Sequence, residues 1–260
     1  MKLPIAIGLA ATCALAHAQT DFQVSAGVTG FRYKEYDEGG VLLDQEDASL
    51  PGITLELGRR EGPWRISVNG SYFSGTADYG GQTQTGVPAN TNTDEQLWSA
   101  GLRLERQIQM GSVSLSPYLG FGYHEWRRDI KNGRTVNNTP VNGLLEIYSW
   151  KTAELGALLG LGSWQRFEVA VDARVFRTVG PELEVRLPGD TRDTILQLGE
   201  RTGGRLALLG SYPRDARLRL RLEVFYEQWS FGRSPPRNGV LEPDSDTQTA
   251  GVLVGLIRSF

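Results

Sequence analysis

Cysteine is nearly absent. The 260-residue chain has one, Cys13, and only two histidines, His17 and His124. A lone cysteine forms no internal disulfide, so packing and hydrogen bonds must hold the fold. There is no Cys/His metal set either. No run of about 18 apolar residues exists, which excludes a transmembrane helix. Charge of one sign is also lacking. Lys plus Arg number 27 against 30 Asp plus Glu, a net charge of −3, which argues against a nucleic-acid partner. What is present is 32 Gly, six Trp, nine Tyr and nine Phe, with 40% apolar residues and a mean hydropathy of −0.30. That mixture reads as an ordered all-β chain.

The first residues assign a compartment. Met1-Lys2 is followed by a mostly apolar run, Leu3 to Ala16, and by the small residues of Ala16-His17-Ala18. This is the pattern of a cleaved secretory signal peptide over residues 1–18, leaving 19–260 as the exported domain. Cleavage removes Cys13 and His17. A rival reading lipidates Cys13, but Thr12 is a poor residue before such a cysteine.

The remainder alternates with period 2. In Leu218-Arg219-Leu220-Arg221-Leu222-Glu223-Val224 every second residue is aliphatic and the others are charged. Only a strand puts that pattern on two faces. Trp64 to Asn69, Val113 to Phe121 and Phe167 to Val175 behave alike. Strands are expected near 22–36, 50–60, 63–78, 94–108, 112–128, 146–162, 166–179, 200–212, 216–231 and 247–260. The connections 37–49, 79–93, 129–145, 180–199 and 232–246 are long and polar. Those between them are tight: Arg60-Glu61-Gly62, Gln109-Met110-Gly111, Ser163-Trp164-Gln165 and Pro213-Arg214-Asp215. Alternating short and long connections mean antiparallel hairpins with one bare end and one decorated end.

Val252, Val254, Leu256 and the terminal Phe260 alternate as well. With the loop pattern, this resembles bacterial outer-membrane β-barrel proteins, whose last strand ends in an aromatic residue read by the barrel-assembly machinery. Arg258 departs from the apolar residue often found two places earlier. The resemblance implies a closed antiparallel transmembrane barrel of about ten strands, with periplasmic turns and extracellular loops, in contact with outer-membrane lipid and lipopolysaccharide. Phe260 is the expected insertion signal.

The aliphatic parity, with Ile66, Val68, Leu102, Leu119, Leu222 and Val254, is expected to face lipid, with Trp64, Trp98, Tyr123 and Tyr226 in girdles at the interfaces. The opposite parity carries Glu56, Glu105, Glu154, Asp172 and Glu223 against Arg103, Arg174, Arg219 and Arg221. A ten-stranded barrel is narrow. Mixed charges inside it suit cross-barrel ion pairs and a plugged lumen, although Arg219 and Arg221 could instead line a thin anion path.

Signals for chemistry are few. The omptin proteases resemble this chain in size and strand number, but their site needs an Asp-x-His, which this sequence lacks. No omptin catalytic residue is carried over. His124 is expected to point inward, with no serine near it in sequence, so a catalytic-base role is the weaker reading. Asp44-Gln45-Glu46-Asp47 reads as a solvated loop. No metal site or cofactor is expected. Lys131, Arg134, Asn137 and Asn138, in the 129–145 loop, are the candidate ligand-binding residues. Residues 180–199 allow two readings: a seventh strand running far above the membrane to Pro188-Gly189-Asp190, or a short helix over 191–200. The functional expectation is a non-enzymatic outer-membrane barrel with a structural or surface-recognition role. A narrow pore and an outer-membrane hydrolase are the alternatives.

Overall fold

The computed structural model describes residues 19–83, 86–189 and 193–260. The expected signal peptide lies outside these residues. The described chain is all-β. Its ten barrel strands are β1 (Gln19–Tyr36), β2 (Leu42–Glu61), β3 (Trp64–Gln82), β4 (Pro88–Arg106), β5 (Val113–Ile130), β6 (Leu144–Trp164), β7 (Phe167–Arg186), β8 (Thr202–Pro213), β9 (Leu218–Phe231) and β10 (Asp244–Ser259). Each pairs antiparallel with its sequence neighbours. β10 returns to β1, in a register that runs from Asp21↔Ser259 through Ala26↔Val254 to Tyr36↔Asp244. The sheet therefore closes and leaves no free edge, the requirement for backbone that crosses lipid.

The turns at the periplasmic end are tight. Gly62 (φ 57°) and Gly111 (φ 66°) supply the left-handed conformation that two of them need, while Gln165 adopts φ 57° despite its side chain. The opposite end differs from the sequence expectation. Connections read as 37–49 and 79–93 shrink to 37–41 and 83–87, because β2 begins at Leu42, β3 continues to Gln82 and β4 begins at Pro88. Strand β6, at 21 residues, and β2 and β7, at 20, are about twice the roughly 9–11 residues that cross a bilayer. The barrel wall therefore continues well beyond the membrane.

Residues 194–197 form a short strand on β7, with Glu182↔Gln197 and Val185↔Thr194 in register. The helix reading of 191–200 is overturned for its described part. Thr194 and Leu196 are buried and Ile195 and Gln197 exposed, the two-residue period of a strand. A hairpin of Gly133–Thr135 and Pro140–Val141 tops the connection after β5.

The outward parity in the lower half is apolar and exposed, with Leu119 at 62% and Val254 at 59%. Trp98 lies 5.1 Å from Tyr123, and Phe167 lies 5.1 Å from Tyr212. These pairs mark an upper and a lower aromatic girdle, which bracket the lipid-facing band. Phe260 is exposed at the lower rim; its N–H donates to the Thr20 carbonyl at 2.9 Å.

Candidate functional site

The lumen changes character along its length. At the periplasmic end it widens into a vestibule of about 900 Å³. Ion pairs coat its wall: Arg65 with Asp21 at 2.7 Å and Glu56 at 2.5 Å, and Arg60 with Glu105 at 3.2 Å. Arg219 approaches Glu168 only to 3.7 Å. The expected cross-barrel ion pairs are therefore present, but the plugged lumen expected with them is not found in this lower part.

Above the vestibule lies a central cavity of about 220 Å³. Arg103 pairs with Asp172 at 3.5 Å, and the Tyr118 hydroxyl donates to the same carboxylate at 2.6 Å. Gly156 makes room for that tyrosine, since a Cβ there would strike its ring. Arg174 bridges Glu154 (3.2 Å) and Glu227 (2.8 Å), and Arg205 bridges Glu223 (2.6 Å) and Glu227 (2.9 Å). The sequence reading named Glu154, Arg174 and Glu223 but omitted Arg205 and Glu227. Extending the same parity along β8 and β9 finds both. Arg221 lines both cavities and has no carboxylate partner among the described residues.

His124 also faces the central cavity. Strand pairing sets Ser99 directly opposite it, a neighbour the linear sequence hides. No nucleophile–base hydrogen bond links them. Ser99 shares a hydrogen bond with Ser71 at 2.8 Å, and His124 Nε2 is 3.1 Å from the Thr152 hydroxyl, with its ring stacked on Trp150.

Beyond the upper girdle the lumen is occupied by buried side chains. Trp126 stacks on Tyr148 at 4.6 Å and meets Tyr33 edge-on at 4.9 Å. All three are 0% exposed, as is Arg128, whose guanidinium lies over the Tyr33 ring at 4.2 Å. Arg128 reaches Glu146 at 2.6 Å, Glu46 at 3.1 Å and Glu35 at 3.4 Å. Thr93 donates to Glu46 at 2.6 Å, and Tyr148 donates to Glu242 at 2.6 Å. The reading of Asp44 to Asp47 as a solvated loop is corrected here. These residues belong to β2, and Glu46 is fully buried against Arg128, 82 residues away in sequence.

One arginine cannot neutralise so many carboxyls. Burial raises the Asp44 carboxyl well above its usual range, and the Glu35 charge adds to it. Glu242 is raised in the same way, first by burial and then by Glu35. Burial pushes Glu146 up to about 7 against the pull of Arg128. Among the described residues no cluster of His, Cys, Asp and Glu is arranged to hold a metal ion.

The candidate loop residues are largely engaged within the protein. Lys131 is tied to Asp94 (2.8 Å) and Asp129 (2.9 Å). Arg134 donates to the Asn138 carbonyl (3.2 Å) and Oδ1 (3.1 Å), and Asn138 holds the hairpin turn at φ 64°. Asn137 remains exposed at the tip.

Comparison with known proteins agrees with this architecture. A family model described as outer membrane protein beta-barrel domain matches residues 5–175. No curated protein sequence matches the chain. Among solved structures, the outer membrane protease OmpT from Escherichia coli aligns over 94% of this chain and 96% of its own, at 11% identity and a TM-score of 0.63. A major outer membrane protein from Thermus thermophilus aligns over 94% and 100%, at 10% identity and a TM-score of 0.47. OprG from Pseudomonas aeruginosa aligns over 92% and 95%, at 11% identity and a TM-score of 0.41. At such identities the likeness to OmpT is one of fold, and fold does not fix activity. With more than half its length under the family model and a closed ten-stranded wall, the chain belongs to the outer-membrane β-barrel domain family and resides in the outer membrane.

Proposed function

We propose that this protein is a non-enzymatic outer-membrane barrel whose stiff extracellular wall has a structural or surface-recognition role through its rim and loops. One observation carries the reading. Beyond the membrane the lumen is filled by Trp126, Tyr33, Tyr148 and Arg128, each fully buried. A solute crossing the barrel would have to displace this aromatic and ionic packing. The wall around it is continuous strand, a rigid base for the Gly133–Val141 hairpin. Outer-membrane lipid and lipopolysaccharide surround the barrel. In the same reading, export proceeds through cleavage after Ala18, so N-terminal sequencing of the membrane protein should begin at Gln19.

The test is planar-bilayer recording on the purified protein. Silent membranes support a closed barrel, and steady unitary conductance overturns it. Replacing residues 133–141 by a Gly-Ser turn should change surface binding while membrane insertion persists. The hydrolase alternative rests on Ser99 opposite His124. Peptide or lipid A turnover that disappears in His124→Ala would establish it against the present reading.

A further inference from the structure

Seven arginines line the two lower cavities, and six of them meet a carboxylate: Arg60, Arg65, Arg103, Arg174, Arg205 and Arg219. Arg221 is the exception among the described residues. Its Nε is buried without a hydrogen-bond partner. The two cavities share Gln23, Glu56, Arg103, Asp172, Leu209 and Arg221 in their walls, so they meet at this arginine. Arg221 is half-buried, and its side chain lines both open cavities with no carboxylate in ion-pair range among the described residues.

A second observation points to what this neck accepts. The orphan polar atoms lining the central cavity are Arg174 Nε, Arg221 Nε and Trp229 Nε1. All three are N–H donors covered by the protein, so they mark a donor-rich wall around the cavity. Two carboxylates of the wall shared by the cavities are already engaged. Asp172 is held by Arg103 and Tyr118, and Glu56 by Arg65.

We propose that Arg221 is the anchor of a binding site, entered from the periplasmic side, for a small monocarboxylate with a short apolar body. The planar guanidinium fork matches a carboxylate through two parallel hydrogen bonds. Strand register sets Ser211 on one side of Arg221 and Gly255 on the other. Gly255 has no side chain, and Ser25 of β1 occupies the space in front of it. Two small hydroxyl residues therefore flank the arginine. Leu209 and Leu253 line the central cavity nearby and are almost fully buried, a dry wall for an aliphatic tail. One free guanidinium balances one negative charge. A phosphate dianion would leave charge uncompensated close to Glu56 and Asp172. Access is from below, because the extracellular plug closes the other end.

The full chain in detergent micelles is titrated with sodium butyrate by calorimetry. Saturable binding at one site is expected, weakened by about tenfold or more in Arg221→Gln through loss of the charge-assisted pair. Inorganic phosphate and butanol are expected not to compete. Absent butyrate saturation, undiminished binding in Arg221→Gln, or equal competition by phosphate or butanol overturns the proposal. A second measurement uses the unmodified chain, in case the variant does not fold. Butyrate should slow phenylglyoxal modification of Arg221, read by peptide mass spectrometry, and leave the exposed Arg258 unchanged. Equal Arg221 rates with and without butyrate overturn it as well.

Discussion

The same ten strands meet opposite solvents below and above the upper aromatic girdle. Below it the outer face touches lipid and is aliphatic, while the inner face holds ion pairs around open space. Above it the outer face touches water and is polar, while the inner face is packed solid by Trp126, Tyr148 and Arg128. The lower half is held by the membrane around it, which rewards apolar side chains on the outside. The upper half has no lipid and must be held from within, by a small aromatic core and a buried charge cluster. Stability in the two halves should therefore answer to different substitutions.

Arg128→Met should produce the largest loss. Arg128 is the counter-charge for Glu46, Glu146 and Glu35, all at the top of the lumen. Removing one partner of such a cluster costs about 3–5 kcal/mol, because the remaining charges are left buried and unpaired. Urea unfolding in micelles should show it, and adding Glu46→Gln to the variant should recover part of the loss. The lower half is probed by Leu222→Arg, which places a cation on the lipid face of β9. The cost near the midplane is about 2–4 kcal/mol. The corresponding change above the girdle, Thr76→Arg on the exposed outer face of β3, should stay within about 0.5 kcal/mol. Equal costs at Leu222 and Thr76 would erase the boundary drawn between the halves.

That boundary also explains what the sequence made legible. Leu218 to Val224 reads as a strand without ambiguity because lipid demands one apolar face. Asp44 to Asp47 and Tyr79 to Thr93 read as loops because, above the membrane, water bathes the outer face and polar groups fill the inner one. The period of two survives in the backbone there but vanishes from hydropathy. Parity found most of the lower ion-pair network, including Glu56, Arg103, Asp172 and Arg174, without identifying partners, since each pair joins different strands. Arg128 with Glu46 was hidden twice: its acid sat in an apparent loop, and pairing at that separation has no linear signature. The solitary state of Arg221 emerges only once every other arginine in the lumen has found its acid.

The upper half should respond to pH. Burial holds the Glu146 carboxyl at about 7 in the folded protein, against about 4.3 in the unfolded chain. The folded state therefore binds extra protons between those values. The contribution is complete below about pH 4.3 and is lost as pH rises through about 7. The unfolding free energy from urea titrations should fall between pH 5 and pH 8 by an amount on the order of 2 kcal/mol. Glu146→Gln, which is neutral at both, should flatten that fall. A midpoint that rises over the same range would refute the assignment of stability to protonated carboxyls in the plug.

The smallest effect is expected from charge on the outside of the extracellular wall. Arg32 and Asp47 pair at 2.6 Å across β1 and β2, yet both side chains are about half exposed, at 52% and 43%. Water and salt screen such a pair, and its measured worth is typically below about 1 kcal/mol. Arg32→Ala should therefore shift the urea midpoint little, and less still at high salt. The nearby Arg128 provides the contrast. Both arginines meet β2 carboxylates, Asp47 and Glu46, which are adjacent in sequence and on opposite faces of the strand. The difference between the two substitutions then reports the burial of Arg128 together with its three carboxylate partners and its aromatic packing. If Arg32→Ala matched Arg128→Met, the stability of the upper half would lie in its outer charge network and not in the packed lumen.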